Sequence, residues 1–277
     1  MRSYYYMTRI AFLLVLFCLT FSFDGRSQYS RSELGVMVGT SYYIGDLNQF
    51  RHFRDAKLAG GLFYRYNVNS RVAIRGTFNY LRVESDDADA KRELIQQRNL
   101  NFKSTIWELG SGVELNYFPF QIGHDRFKGT GYLFVGLAAF RMNPKTEYNG
   151  DDVALQELGT EGQGSSLTQK SKYSLIQMAI PFGFGGRVSL GNVGSLGIEF
   201  GVRKTYTDYL DDVGAGLYVD QDALIVENGP LAAELSNRSG NRFGKRGNES
   251  NKDWYFFTGA VLTFKIGKKP SCPGNPR

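Results

Sequence analysis

The feature that most limits what this chain can become is a two-residue period in which one face is apolar and the other carries arginine, glutamate and glycine. Leu58, Leu62, Tyr64, Tyr66 and Val68 share one face, and Ala59, Gly61, Arg65 and Asn67 the other; side chains alternate this way along a strand. After a tight Asn69-Ser70 turn, Val72, Ile74, Phe78 and Tyr80 alternate with Ala73, Arg75, Thr77 and Asn79, which makes a hairpin. Similar stretches recur at Glu33 to Tyr43, Phe102 to Tyr117, Gly131 to Met142, Tyr173 to Ser189, Ser195 to Thr207 and Asp253 to Ile266, so the chain predicts eight strands. Their connections differ in length, and the long ones fall at one end.

Such a pattern fits a soluble sandwich or a membrane barrel, and the content of the second face favours the barrel. It carries Arg65, Arg75, Arg141, Arg187 and Arg203 with Glu108, Glu114 and Glu199, interleaved with Gly61, Gly110, Gly112, Gly183, Gly185, Gly197 and Gly201. The interior of an eight-stranded barrel is just wide enough for side chains to fill, so opposite charges pair inside while the apolar face meets lipid. The expected fold is all-β: an eight-stranded antiparallel up-and-down transmembrane barrel of the small OmpA/OmpX-like type. It is plugged rather than open, with long extracellular loops, short periplasmic turns and both termini periplasmic. Two aromatic girdles are expected, Tyr66, Tyr117, Tyr132 and Phe264 at the short-turn end and Tyr42, Tyr80, Trp107, Phe140 and Trp254 at the loop end. The last strand, with Phe256, Ala260, Leu262, Phe264 and Ile266 on one face, resembles the terminal insertion signal of outer-membrane proteins.

The N-terminus supplies the matching address. Arg2 and Arg9 precede the apolar stretch from Ile10 to Phe23, and Gly25 and Ser27 stand at the small-residue places of a cut before Gln28. Residues 1–27 therefore read as a signal peptide, too short in its apolar part for a membrane anchor. Residues 28–277 read as one barrel domain with a short periplasmic tail, 267–277. The 33 basic and 27 acidic residues give +6; without Arg2, Arg9, Arg26 and Asp24 the balance is 30 against 26. With no Lys/Arg run, that mild excess predicts a solvated surface and no nucleic-acid partner. Two histidines and two cysteines leave no set for a multi-ligand zinc or haem site, and no cofactor is expected.

Cleavage leaves Cys272 as the one cysteine, which cannot pair internally. In an oxidising compartment it predicts an intermolecular disulfide, with Lys268 and Lys269 favouring the thiolate. The turn Phe118-Pro-Phe-Gln-Ile-Gly is expected to expose Phe120 and Ile122 as a periplasmic contact for a partner. Asp86 to Gln97 favours a short helix. His52 and Ser85-Asp86 are the residue types of acyl transfer, but their spacing carries no signature and the chain reads as non-enzymatic. Asp208, Asp211 and Asp212 with Asp46 form a rim cluster that reads as a charge cluster neutralised by Arg203 or Lys204, in preference to a cation site.

Four segments, in this order, are similar to one family of Bacteroidetes outer-membrane barrels, the PorG component of the type IX secretion system. Tyr42-Tyr-Ile-Gly-Asp-Leu47 closes the first strand, with Tyr43, Gly45 and Asp46 at the motif positions. Leu115-Asn-Tyr-Phe-Pro119 ends the fourth, with Tyr117 and Pro119. Asn143-Pro-Lys145 follows the fifth, and Thr207-Asp-Tyr-Leu-Asp-Asp212 the seventh, with Asp208, Tyr209, Asp211 and Asp212. The resemblance implies a non-enzymatic secretion-machine subunit that meets outer-membrane lipids and a periplasmic ring made of a lipoprotein and its partner. The alternatives are a stand-alone adhesin-like surface barrel and an acyltransferase-type enzyme.

Overall fold

The computed structural model describes residues 31–124, 126–240 and 245–266; the leader, Cys272 and the tail 267–277 lie outside them. Ten strands form: β1 Ser32–Ile44, β2 Lys57–Asn67, β3 Val72–Asp86, β4 Asn101–Asn116, β5 Gly129–Arg141, β6 Lys145–Tyr148, β7 Asp151–Ala154, β8 Ile176–Leu190, β9 Gly194–Thr205 and β10 Trp254–Ile266. Eight of them close a ring. The antiparallel order runs β1-β2-β3-β4-β5-β8-β9-β10, and β10 returns to β1 in register from Ser32↔Ile266 to Ile44↔Trp254. A closed ring leaves no strand edge unpaired, which a membrane requires because lipid offers backbone groups no hydrogen bonds.

Burial settles which face is which. Val38 (61% exposed), Leu58 (76%), Leu109 (66%) and Ile198 (71%) all point outward, while Arg65, Glu108 and Glu114 are fully buried. A soluble sandwich would have reversed this. An apolar wall around a charged interior is stable only in lipid, so the barrel spans a membrane.

The register corrects the expectation at β5. Leu133, Val135, Leu137 and Arg141 face outward, whereas Tyr132, Phe134, Ala138 and Phe140 face the lumen. Arg141 therefore leaves the interior set, and Tyr132 and Phe140 leave the girdles. The outer aromatic belt at the loop end consists of Tyr80, Trp107 and Trp254, together with a stack of Tyr42 on Phe256 at 4.7 Å. At the other end it is built from Tyr64, Tyr66, Tyr117, Phe118 and Phe264.

The short connections tie themselves locally. Asn69 Oδ1 accepts from the backbone N–H of Arg71 and Val72, both at 2.8 Å, which closes the β2–β3 hairpin. The longer β4–β5 turn folds upward instead of outward. Phe120 (3% exposed) and Ile122 (1%) are buried, so they are not the exposed contact the sequence predicts. Apolar side chains that find a lumen to floor gain more from burial than from a wet boundary. Tyr117 (74%) and Phe118 (49%) are the exposed aromatics of this turn.

The loop end is more ordered than the sequence suggests. The helix expected within Asp86 to Gln97 appears as a 3-10 turn, Asp87–Asp89, and a short helix α1, Glu93–Arg98, stopped by Asn99 at φ 54°. The third loop adds the hairpin β6–β7 and a single turn α2, Leu155–Leu158. The fourth adds α3, Gln221–Asn228, and α4, Pro230–Ser236. No periodicity announces these pieces; they form because they pack on one another and on the barrel mouth.

Candidate functional site: a charge-filled lumen beneath a knotted cap

Four arginines and four glutamates fill the lumen, and their charges balance. Glu114 sits at the centre: Arg65 Nη2 reaches it at 2.9 Å, Arg187 Nη1 at 2.8 Å and Arg75 Nη1 at 3.5 Å. Arg65 also meets Glu33 at 2.8 Å, and Asn67 donates to the same carboxylate at 2.7 Å. Arg75 grips Glu199 through two nitrogens at 2.7 and 3.0 Å, and Tyr132 Oη donates to Glu199 at 2.9 Å. Glu108 takes Arg203 at 3.1 Å, Tyr255 Oη at 2.7 Å and Asn79 at 2.5 Å. Expected Arg65, Arg75, Arg187, Arg203, Glu108, Glu114 and Glu199 are thus brought together. Glu33 is the member sequence reasoning missed, although it stands in phase with Gly35 and Met37 on β1.

Aromatic rings complete the packing. The Arg75 guanidinium lies 4.7 Å from the centre of Phe134 and 5.2 Å from Phe63; Arg187 lies 4.6 Å from Phe120 and 5.2 Å from Tyr132. Such faces attract a cation that water no longer solvates. Glycines make the room: a Cβ on Gly35 would enter the Phe63 ring, and one on Gly185 the Tyr132 ring. Phe120 closes this lumen from the short-turn side, held by its own N–H to Ser70 O at 2.8 Å.

Above the mouth, the four long loops meet in a second buried polar cluster. Tyr43 Oη touches the carboxyls of both Asp211 and Asp253, the latter at 3.2 Å. Gly45 is glycine because a Cβ there would strike the Tyr43 hydroxyl and Asp253. Asp46 accepts the Asn248 N–H at 3.1 Å. Arg98 binds Asp87 at 2.6 Å, and donates to the carbonyls of Arg246 at 2.6 Å and Asp46 at 3.1 Å. Arg246, 2% exposed, pairs with Glu161 and reaches the Asp212 carbonyl at 2.8 Å and its carboxylate at 3.6 Å. Tyr173, stacked on Tyr209 at 4.6 Å, donates to Asp212 at 2.7 Å.

The expected rim aspartates therefore do converge, with different cations. Arg203 is engaged by Glu108 below, and Lys204 lies over the Trp254 ring at 5.7 Å, so neither neutralises them. Arg98, Arg246 and, for Asp208 at 3.6 Å, Lys252 do so instead. Arg246, Glu161 and Asp253 carry no sequence signal, since loops have no period. Among the described residues no group of three or more His, Cys, Asp or Glu is arranged to hold a metal ion. The acyl-transfer types each have other partners: His52 Nδ1 pairs with Tyr42 Oη at 3.0 Å, and Ser85 Oγ donates to the Leu47 carbonyl at 3.2 Å. Of the remaining motif positions, Tyr117 stands exposed at the short-turn end and Pro119 beside it is half-buried.

Acids outnumber bases in the cap, and burial raises their proton affinity. Desolvation pushes Asp208 up to about 7 and Asp212 to about 6, Lys252 and Arg246 opposing the rise. Burial holds Asp211 and Asp253 well above the usual carboxylate range, reinforced by the charge of Asp46 on Asp211 and by those of Asp211, Asp208 and Asp46 on Asp253.

A closed barrel with a lipid-facing belt, a salt-bridged lumen and a rigid extramembrane cap defines a small, plugged, membrane-spanning β-barrel protein. The family model for DUF6089, described as a domain of unknown function, matches residues 10–224. The chain belongs to that family. No curated protein matches the sequence. Among solved structures, Neisserial surface protein A is similar over 86% of this chain and 98% of its own, at 9% identity and a TM-score of 0.43. The outer membrane protein OprG from Pseudomonas aeruginosa matches 87% of this chain and 100% of its own, at 8% identity and TM-score 0.40. Ail of Yersinia pestis matches 85% and 99%, at 9% identity and TM-score 0.38.

Replacing Glu114 by Leu is expected to cost about 3 to 5 kcal/mol, because three buried guanidiniums lose a shared partner; urea titration of the folded barrel in detergent checks this, and an unchanged midpoint refutes the network. The cap makes a pH prediction of definite sign. Carboxyls whose proton affinity rises on folding bind protons in the folded cap that the unfolded loops release, so stability falls as pH rises from about 4, the unfolded value, through about 6 and 7. Amide exchange in the four loops is expected to be slower at pH 5 than at pH 8 after correction for intrinsic rates. Equal or faster exchange at pH 5 refutes it.

Proposed function

We propose that this chain is a non-enzymatic, non-conducting outer-membrane component of a type IX secretion system, of the PorG kind, which anchors or contacts a periplasmic ring. The observation that carries the proposal is the filled lumen: cargo has no route through a barrel whose interior is eight paired charges floored by Phe120. Work is left to the two ends. The motif residues behind the family resemblance support the same reading, because Tyr43, Gly45, Asp46, Asp211 and Asp212 all build the cap that locks the loops together.

The outer-membrane reading is supported by the expected leader together with a barrel whose wall faces lipid, the architecture that membrane uses. With the long loops outside, β1 starts and β10 ends at the periplasmic face, where Ser32 pairs with Ile266. We assign Cys272, in the tail 267–277 outside the described residues, an intermolecular disulfide to a ring protein. The exposed Tyr117 and Phe118 of the β4–β5 turn adjoin the same face. A stand-alone adhesin-like barrel is the second reading, favoured by large apolar side chains left exposed on the loops, Phe50 (82%), Leu94 (79%) and Val226 (84%).

Deleting the gene is expected to abolish cargo secretion while cell-surface adhesion assayed with secretion-independent ligands persists, and affinity purification of the full chain is expected to recover a periplasmic ring. Intact secretion with lost adhesion reverses the assignment. Planar-bilayer recordings at neutral pH are expected to show no stable single-channel openings. Non-reducing electrophoresis of thiol-blocked membranes is expected to show a higher-mass band that collapses on reduction and is missing in Cys272→Ser; its absence from the parent removes the disulfide from the proposal.

A further inference from the structure

The outer wall of the barrel carries one feature that neither the lumen nor the cap uses. On β3, β4 and β5, Tyr80, Trp107 and Arg141 lie side by side in register on the outward face. Trp107 is 47% exposed, meets Tyr80 edge-on at 4.7 Å and stacks on Phe78 at 5.7 Å, so the three rings form a fixed shelf. One outward step above Tyr80, Arg82 donates through Nε to the Tyr80 hydroxyl at 2.7 Å, which orients its guanidinium and leaves both terminal nitrogens without a partner among the described residues. Arg141 flanks Trp107 from the other side, exposed and without an acidic partner among the described residues. Two acids at the loop end are engaged elsewhere: Glu84 holds Lys57 at 2.6 Å, and Asp152 holds Lys103 at 2.5 Å.

Below the shelf the wall is hydrocarbon-facing, with Leu109 66% and Leu137 61% exposed. The two guanidiniums therefore sit at the height where the acyl layer ends and headgroups begin, the level aromatic belts mark. Guanidinium forks match phosphate oxygens in pairs, and an unpaired cation at this height meets its complement in an anionic headgroup.

We propose that Arg82 and Arg141, flanking the Tyr80–Trp107 shelf, form a binding site for the phosphate headgroup of an anionic lipid in the leaflet at the loop end. This goes beyond the secretion proposal and stands without it. The test is native mass spectrometry of the full chain in detergent, titrated with diphosphoryl lipid A or with phosphatidylcholine. The parent is expected to retain diphosphoryl lipid A in preference to phosphatidylcholine. The double substitution R82Q/R141Q is expected to weaken retention at least tenfold, with R141Q alone intermediate. K204Q, which alters an outward cation on β9, is expected to leave retention unchanged within twofold. In a Trp254→Phe background Trp107 is the one remaining tryptophan, and diphosphoryl lipid A but not phosphatidylcholine is expected to shift its emission. Equal retention of the two lipids, or undiminished lipid A retention by R82Q/R141Q, overturns the proposal.

Discussion

Closing eight strands into a ring leaves a lumen about as wide as the side chains that point into it, and every other feature of this structure depends on how that lumen handles charge. An unpaired arginine there would be prohibitively costly. Four guanidiniums facing four carboxylates remove the net charge, and Tyr132, Tyr255, Asn67, Asn79 and Asn116 supply further hydrogen bonds. The partners come from different strands: Arg65 on β2 meets Glu114 on β4, Arg75 on β3 meets Glu199 on β9, and Arg203 on β9 meets Glu108 on β4. The network thus cross-braces the ring through its axis, where backbone ladders cannot reach.

The cap repeats the solution under different constraints. Loops that project from a barrel mouth are ordinarily free to move. Here Arg246 and Arg98 act as hubs, each joining segments far apart in sequence: Arg98 of the second loop bonds carbonyls of Asp46 and Arg246, and Arg246 binds Glu161 of the third. The lumen is neutral and salt-bridged, whereas the cap holds more acids than bases, and burial raises their proton affinity.

These two clusters bracket a wall that has to satisfy lipid instead of protein. Its leucines, valines and isoleucines need no partners, and the side chains with polar ends, Tyr80, Trp107, Arg82 and Arg141, stand where the bilayer becomes polar. The result is a cylinder whose interior is filled by paired charges and whose wall faces lipid.

Fold class was legible in the sequence because a strand's two-residue period is a local property: Arg65 opposite Tyr64 and Tyr66 reports two faces without any knowledge of the neighbours. Seven of the eight lumen charges were readable for that reason, and Glu33 shares the same phase. Where reading slipped by one residue, at Phe140 and Arg141, both side chains changed faces together, since register in a strand is all or nothing. The inward fold of Phe120 and Ile122 was not legible, because a turn has no period and only the finished barrel offers a floor to fill. The partners of Asp211 and Asp212 were hidden for the same cause: Tyr43 and Arg246 reach them across the tops of loops whose course depends on tertiary packing. Sequence alone determined the eight barrel strands, the faces of all of them but β5, and the sign of what each face must touch. Tertiary structure alone decided which charge meets which, because pairing across a lumen or above a mouth is set by ring closure and loop docking, not by spacing along the chain.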